Sequence, residues 1–139
     1  MSFVISIFYA GLLALILLAL SIRVVMLRRR HGIGIGSGEQ PALALAIRAQ
    51  ANFCEYAPIA IVLLLVLEGT GVVPVLMLHV LGLMLVVGRL LHGFFGLNRS
   101  PGTTMGRFVG TLLTWLMMAA AAIFAIGLAI AHWVAVISV

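Results

Sequence analysis

Polar residues are too sparse along this chain to pattern it; they punctuate it. Four apolar runs stand between them, from about residue 3 to 27, 41 to 67, 72 to 97 and 104 to 136. Each is longer than the roughly 20 residues a helix needs to cross about 30 Å of hydrocarbon. Backbone groups in lipid have no water to bond, so runs of this kind form helices rather than open strands. The expected fold is therefore all-α: an integral membrane four-helix bundle occupying residues 1–139 as a single domain. Pro41 and Pro74 suit the openings of the second and third helices, where a missing N–H costs little. Pro58 falls inside the second and frees the carbonyl of Cys54 or bends the helix.

The connections differ in character. "RRRHGIGIGSGEQ" reads as a basic, glycine-rich loop, "EGTG" (Glu68–Gly71) as a tight turn, and "NRSPGTT" as a second basic loop. The short turn makes the second and third helices antiparallel neighbours. "GIGIGSG" lacks the following Lys-Ser/Thr and the preceding strand of a phosphate-binding loop, and is read as a flexible connection.

Composition supports the membrane class, with 65% hydrophobic and only 8% charged residues. There is no lysine, and the +5 charge comes from eight arginines against three glutamates. A pI near 11.2 on so few charges does not describe a nucleic-acid surface. The single cysteine, Cys54, excludes an intrachain disulfide. The first apolar run has no basic segment before it and exceeds a signal-peptide core, so it is expected to be retained. Every arginine falls at or near the first and third connections. The positive-inside rule places those two in the cytoplasm and both termini outside.

Several polar residues fall inside the spans. Asn52 lies sixteen residues before Glu68, and Arg89 seventeen after Val72. At about 1.5 Å per residue both are about 25 Å from the shared turn, hence at one depth. Arg23, Arg28 and Arg107 reach the same layer from the other two helices. Arg48, Asn52 and Glu55, at i, i+4 and i+7, share one face, and such a face is too costly to turn to lipid. Arg48 and Glu55 can pair with each other, but Arg48, Arg89 and Arg107 outnumber Glu55. The surplus calls for an anionic ligand, because guanidinium forks suit carboxylates and phosphates. His92 follows Arg89 by one turn. His31, His79 and His132 scatter over different depths, so no histidine metal site is expected, and Cys54 points off the polar face.

With these residues in view, "RAQANFCEYAP" (Arg48–Pro58) resembles the signature of the MAPEG superfamily, membrane-associated proteins in eicosanoid and glutathione metabolism. "GRLLHGFFGL", with Arg89 and His92, resembles the family's third-helix pattern, and the length is similar to that of its small bacterial members. The resemblance implies a homotrimer in the bacterial inner membrane, with glutathione held between neighbouring subunits as co-substrate. It implies transfer of the thiol to lipophilic electrophiles or reduction of lipid hydroperoxides. By position, Arg48 would meet a glutathione carboxylate, Glu55 its ammonium, and Asn52 the same end. Gln50 and Arg28 would reach the glycine end, Tyr56 would line the pocket, and Arg89 and His92 would close it. Arg107 resembles the arginine that stabilises the thiolate, with Arg99 as the rival position. Gly96 and Phe108 stand where some members carry tyrosine and serine. Some members bind lipid and catalyse nothing, so a non-catalytic lipid-binding or scaffold role is the alternative.

Overall fold

Where each helix stops is decided by a few residues. In a computed structural model, which describes residues 3–138, the helices are α1 (Val4–His31), α2 (Pro41–Gly69), α3 (Val75–Leu90) and α4 (Met105–Ile137). The chain is helical, with no strand among the described residues. α3 continues as a π-helical segment over Leu91–Leu97. With that continuation counted in the third, all four are long and apolar enough to cross a membrane.

α1 runs four residues past the expected Leu27. Arg28, Arg29, Arg30 and His31 form its last turn instead of a loop. Positive charge there offsets the negative end of the helix dipole. Gly32 ends the helix in the left-handed region at φ 66°, and the Ile33 N–H donates to the Arg28 carbonyl at 3.0 Å. That pairing satisfies carbonyls the helix leaves open. Pro41 occupies the first turn of α2, and Pro74 caps α3, which begins at Val75 instead of Val72. At α4, the Thr104 hydroxyl accepts the Arg107 N–H at 3.2 Å.

Glu68 is not a turn residue. It belongs to α2, and its carboxylate accepts the N–H groups of Ile5 at 2.9 Å and Ser6 at 2.7 Å. α1 has no capping side chain of its own, so a carboxylate from the far end of α2 satisfies its open donors. Negative charge at a helix N-terminus is favourable as well.

α1 and α4 occupy opposite corners, each packed on α2 and α3. The core between them joins Leu13, Ile16 and Leu20 of α1 to Phe53, Ala57 and Leu64 of α2, Leu81 and Leu85 of α3, and Met117 and Ala121 of α4. Much of the apolar surface points outward: Phe8, Val62, Leu83, Trp115, Ile123 and Trp133 are all exposed. This inverted economy suits a hydrocarbon solvent, where outward leucine costs nothing.

Close approach of α4 to α3 and the π-helical segment rests on glycine. A Cβ at Gly110 would sit 2.6 Å from the Gly88 carbonyl oxygen, and one at Gly106 would sit 2.6 Å from that of Phe95. One at Gly96 would meet Arg107 Cγ at 2.6 Å. The absent aromatic side chain at Gly96 therefore has a local reason: the Arg107 backbone and stem occupy its space.

Glu68→Ala removes the cap from α1 without touching the core. We expect a loss of about 1 kcal/mol or more, read as a lower unfolding midpoint in detergent. Faster amide exchange at Ile5 and Ser6 should accompany it. Unchanged exchange at both would show that the carboxylate does not hold that end.

Candidate functional site

The spacing of Arg48, Asn52 and Glu55 does put them side by side on α2, yet their side chains part company. Arg48 pairs with Glu55 through both guanidinium nitrogens, at 2.8 and 3.1 Å. This ion pair is open: the two side chains are 56% and 47% exposed. An exposed pair in water contributes little, roughly 0–1 kcal/mol. On a membrane-spanning helix its position matters more, because no described residue covers it.

Asn52 turns the other way, toward α3. Its Oδ1 accepts from Arg89 NH1 at 2.9 Å. Arg89 is only 2% exposed and sits at the centre of the layer. Its Nε–H donates to Thr114 Oγ1 at 3.0 Å, and its NH2 to the Gly110 carbonyl at 3.4 Å. Thr114 in turn donates to that same carbonyl at 2.9 Å. The Tyr56 ring lies 5.4 Å from the guanidinium carbon, within cation–π range. Two expectations change here. Arg89 does not face open space, so in this structure it closes no pocket. It also needs no carboxylate, since neutral oxygens and a ring face surround it, and the surplus of positive charge is smaller by one than the count implied.

His92, one turn further, is 6% exposed. It lines a cavity of about 290 Å³ with Thr103, Arg107, Phe108, Thr111, Leu112 and Trp115. Arg107 NH1 donates to the carbonyls of Pro101 at 3.0 Å and Gly102 at 2.9 Å, bracing the loop that precedes α4. Arg99 is not in this lining; its guanidinium stacks on Phe95 at 5.1 Å. Of the two rival arginines, Arg107 is the one beside His92.

Gln50 and Arg28 are not brought against the Arg48–Glu55 pair. Gln50 donates to Ser21 Oγ of α1 at 2.8 Å, tying α1 to α2. Arg28 donates to the carbonyls of Gly34 and Gly36, each at 3.0 Å, and shapes the first connection. Cys54 is free and exposed. No group of three or more His, Cys, Asp or Glu able to hold a metal occurs among the described residues.

Sequence reasoning missed Thr114, Gly88 and Gly110, which build the niche for Arg89, and Trp115, which walls the cavity. The signal was present. Gly106, Gly110 and Thr114 recur every four residues in α4, a small-residue stripe that lets helices approach closely.

The fold and this layer define a class: a four-helix membrane protein whose polar chemistry sits where the arginine-bearing ends of its helices meet. Residues 6–136 match the MAPEG family, and the chain belongs to that family. No curated protein and no solved structure matches it.

Gly110→Ala pushes a methyl group into the Gly88 and His92 backbones. Overpacking of this kind costs about 1–3 kcal/mol. We expect a lower unfolding midpoint together with a separation of α3 from α4 measurable by paired spin labels. An unchanged midpoint would show that the close approach is not needed.

Proposed function

We propose that this protein is a glutathione-dependent membrane transferase or peroxidase acting on lipophilic electrophiles or hydroperoxides. Family membership supports the ligand class, and one observation carries the reading further. The uncovered Arg48–Glu55 pair matches the zwitterionic γ-glutamyl end of glutathione. A ligand carboxylate takes the place of Glu55 beside Arg48, and a ligand ammonium takes the place of Arg48 beside Glu55. Charge is conserved in the exchange, and the exposed pair it replaces is weak. Tyr56 borders this end. As family membership suggests, the assembly is a homotrimer with shared sites, in which Gln50 and Arg28 of an adjacent copy reach the glycine end.

The reacting end lies toward His92 and Arg107. A guanidinium near the bound thiol favours its ionised form and lowers its pKa below the usual value of about 8.5. The thiolate then attacks an electrophilic carbon, forming a C–S bond as the leaving group departs or a ring or double bond opens. With a hydroperoxide it attacks an oxygen and breaks the O–O bond. The products are an alcohol, after proton uptake, and a sulfenic acid, which a second glutathione converts to disulfide and water. Phe108, Leu112 and Trp115 form the apolar side of the cavity, open to a co-substrate dissolved in lipid. The positive-inside bias supports a site near the cytoplasmic face of the membrane, where glutathione is supplied from solution.

One observation favours the non-catalytic alternative of a lipid-binding or scaffold protein. Arg107 spends two hydrogen bonds on its own loop, not on the cavity. The test separates the two. On the enzymatic reading, saturating glutathione gives thiolate absorbance near pH 7 in the wild-type chain. Arg107→Ala raises the thiol pKa, so absorbance falls at pH 7 and returns as pH rises toward about 8.5. Arg48→Ala weakens glutathione binding about tenfold or more, the usual scale for a charged hydrogen bond. Absence of thiolate in the wild-type protein would sink the enzymatic reading.

A further inference from the structure

A guanidinium only donates hydrogen bonds. Whatever part of the Asn52 amide meets Arg89 must therefore be its oxygen, and the 2.9 Å contact to Oδ1 has only that chemical solution. With the oxygen committed to Arg89, the amide nitrogen on the other side of the same group is left for a further partner, and Asn52 itself is only partly buried. That nitrogen makes no hydrogen bond to any described residue. Arg89 is in no position to touch a ligand itself. It is 2% exposed, held by Thr114 and Gly110 of α4 and covered by the Tyr56 ring.

We infer that Arg89 is a positioning residue: it locks Asn52 with its carbonyl inward, so that the amide presents two N–H donors, and no acceptor, to the ligand. This deepens the glutathione reading and rests on it. A site that offers donors at Asn52 takes an acceptor there. Glutathione's ammonium is excluded from that spot and left to Glu55, while its α-carboxylate, already drawn to Arg48, receives the amide. The polarity of the site is thus set one layer below its surface, by a cation that never meets the ligand. Without Arg89 the amide is free to flip, and half of its orientations place an oxygen against the carboxylate.

The test uses the detergent-solubilised full chain and glutathione as probe. Asn52→Asp keeps an oxygen against Arg89, in fact a charged one, but removes the outward donor. It should fold with an unfolding midpoint no lower than wild type and bind glutathione about tenfold more weakly or worse. A double-mutant cycle isolates the positioning role. Arg89→Met should weaken binding severalfold in the wild-type background and leave it unchanged once Asn52→Ala is present, because Arg89 acts only through that amide. Additive losses would mean that Arg89 meets the ligand directly, and would overturn the inference. Equal glutathione affinity of Asn52→Asp and wild type would overturn it as well.

A measurement on the wild-type chain does not depend on variants folding. The chain has two asparagines, Asn52 and Asn98, so two side-chain amide signals appear after ¹⁵N-asparagine labelling. The one belonging to Asn52 should shift on saturation with glutathione, and a signal that stays in place overturns the inference. A wild-type chain that binds no glutathione at all overturns the functional reading first, and this inference with it.

Discussion

A guanidinium buried in a bundle that itself lies in hydrocarbon has no water to fall back on. Each donor left unpaired there costs several kcal/mol, and the rest of this structure is arranged around meeting that requirement for Arg89. Asn52 supplies an oxygen from α2, Thr114 and the Gly110 carbonyl supply two from α4, and Tyr56 supplies a ring face. Glycine at 88 and 110 is the condition for all of it, since only bare backbones bring that carbonyl and hydroxyl within reach. The buried cation thereby ties three helices together at one depth, where a leucine would have tied none in particular.

The same demand sorts the arginines into kinds. Arg89 is satisfied by neutral groups and closed off. Arg28 and Arg107 spend their donors on loop carbonyls at the helix ends. Among the described residues Arg48 alone pairs with a carboxylate, and that pair is left open. That pair is accessible from outside the chain, whereas Arg89 is sealed within it. The opposite end of the bundle shows the complementary device: Glu68 answers the open N–H groups of α1, and the Tyr9 hydroxyl donates to the His79 carbonyl at 3.0 Å, joining α1 to α3. Each end of the bundle is held by polar contacts between helices, and its middle by apolar packing.

Much of this was legible beforehand because hydrocarbon is an unforgiving solvent. Length and hydropathy are enough to place four spans, since helices of that length satisfy their own backbones in lipid. Helical spacing is enough to put Arg48, Asn52 and Glu55 on one face. Depth counting along α2 and α3 correctly put Asn52 and Arg89 level, and they touch. The helix ends were less legible. Arg28, Arg29 and Arg30 read as loop because they are charged, yet the dipole at a helix C-terminus welcomes them. Glu68 read as a turn because its partner, the start of α1, is more than sixty residues away in the chain.

The amino-acid sequence by itself determined the class, the number of spans and the layer in which polar groups collect, because those follow from hydrophobic length and from a period of 3.6 residues. Only the tertiary structure decided which arginine is buried and which is presented. That choice depends on whether a neighbouring helix brings oxygen within about 3 Å of a guanidinium, and side-chain identity along one helix does not encode the distance to the next.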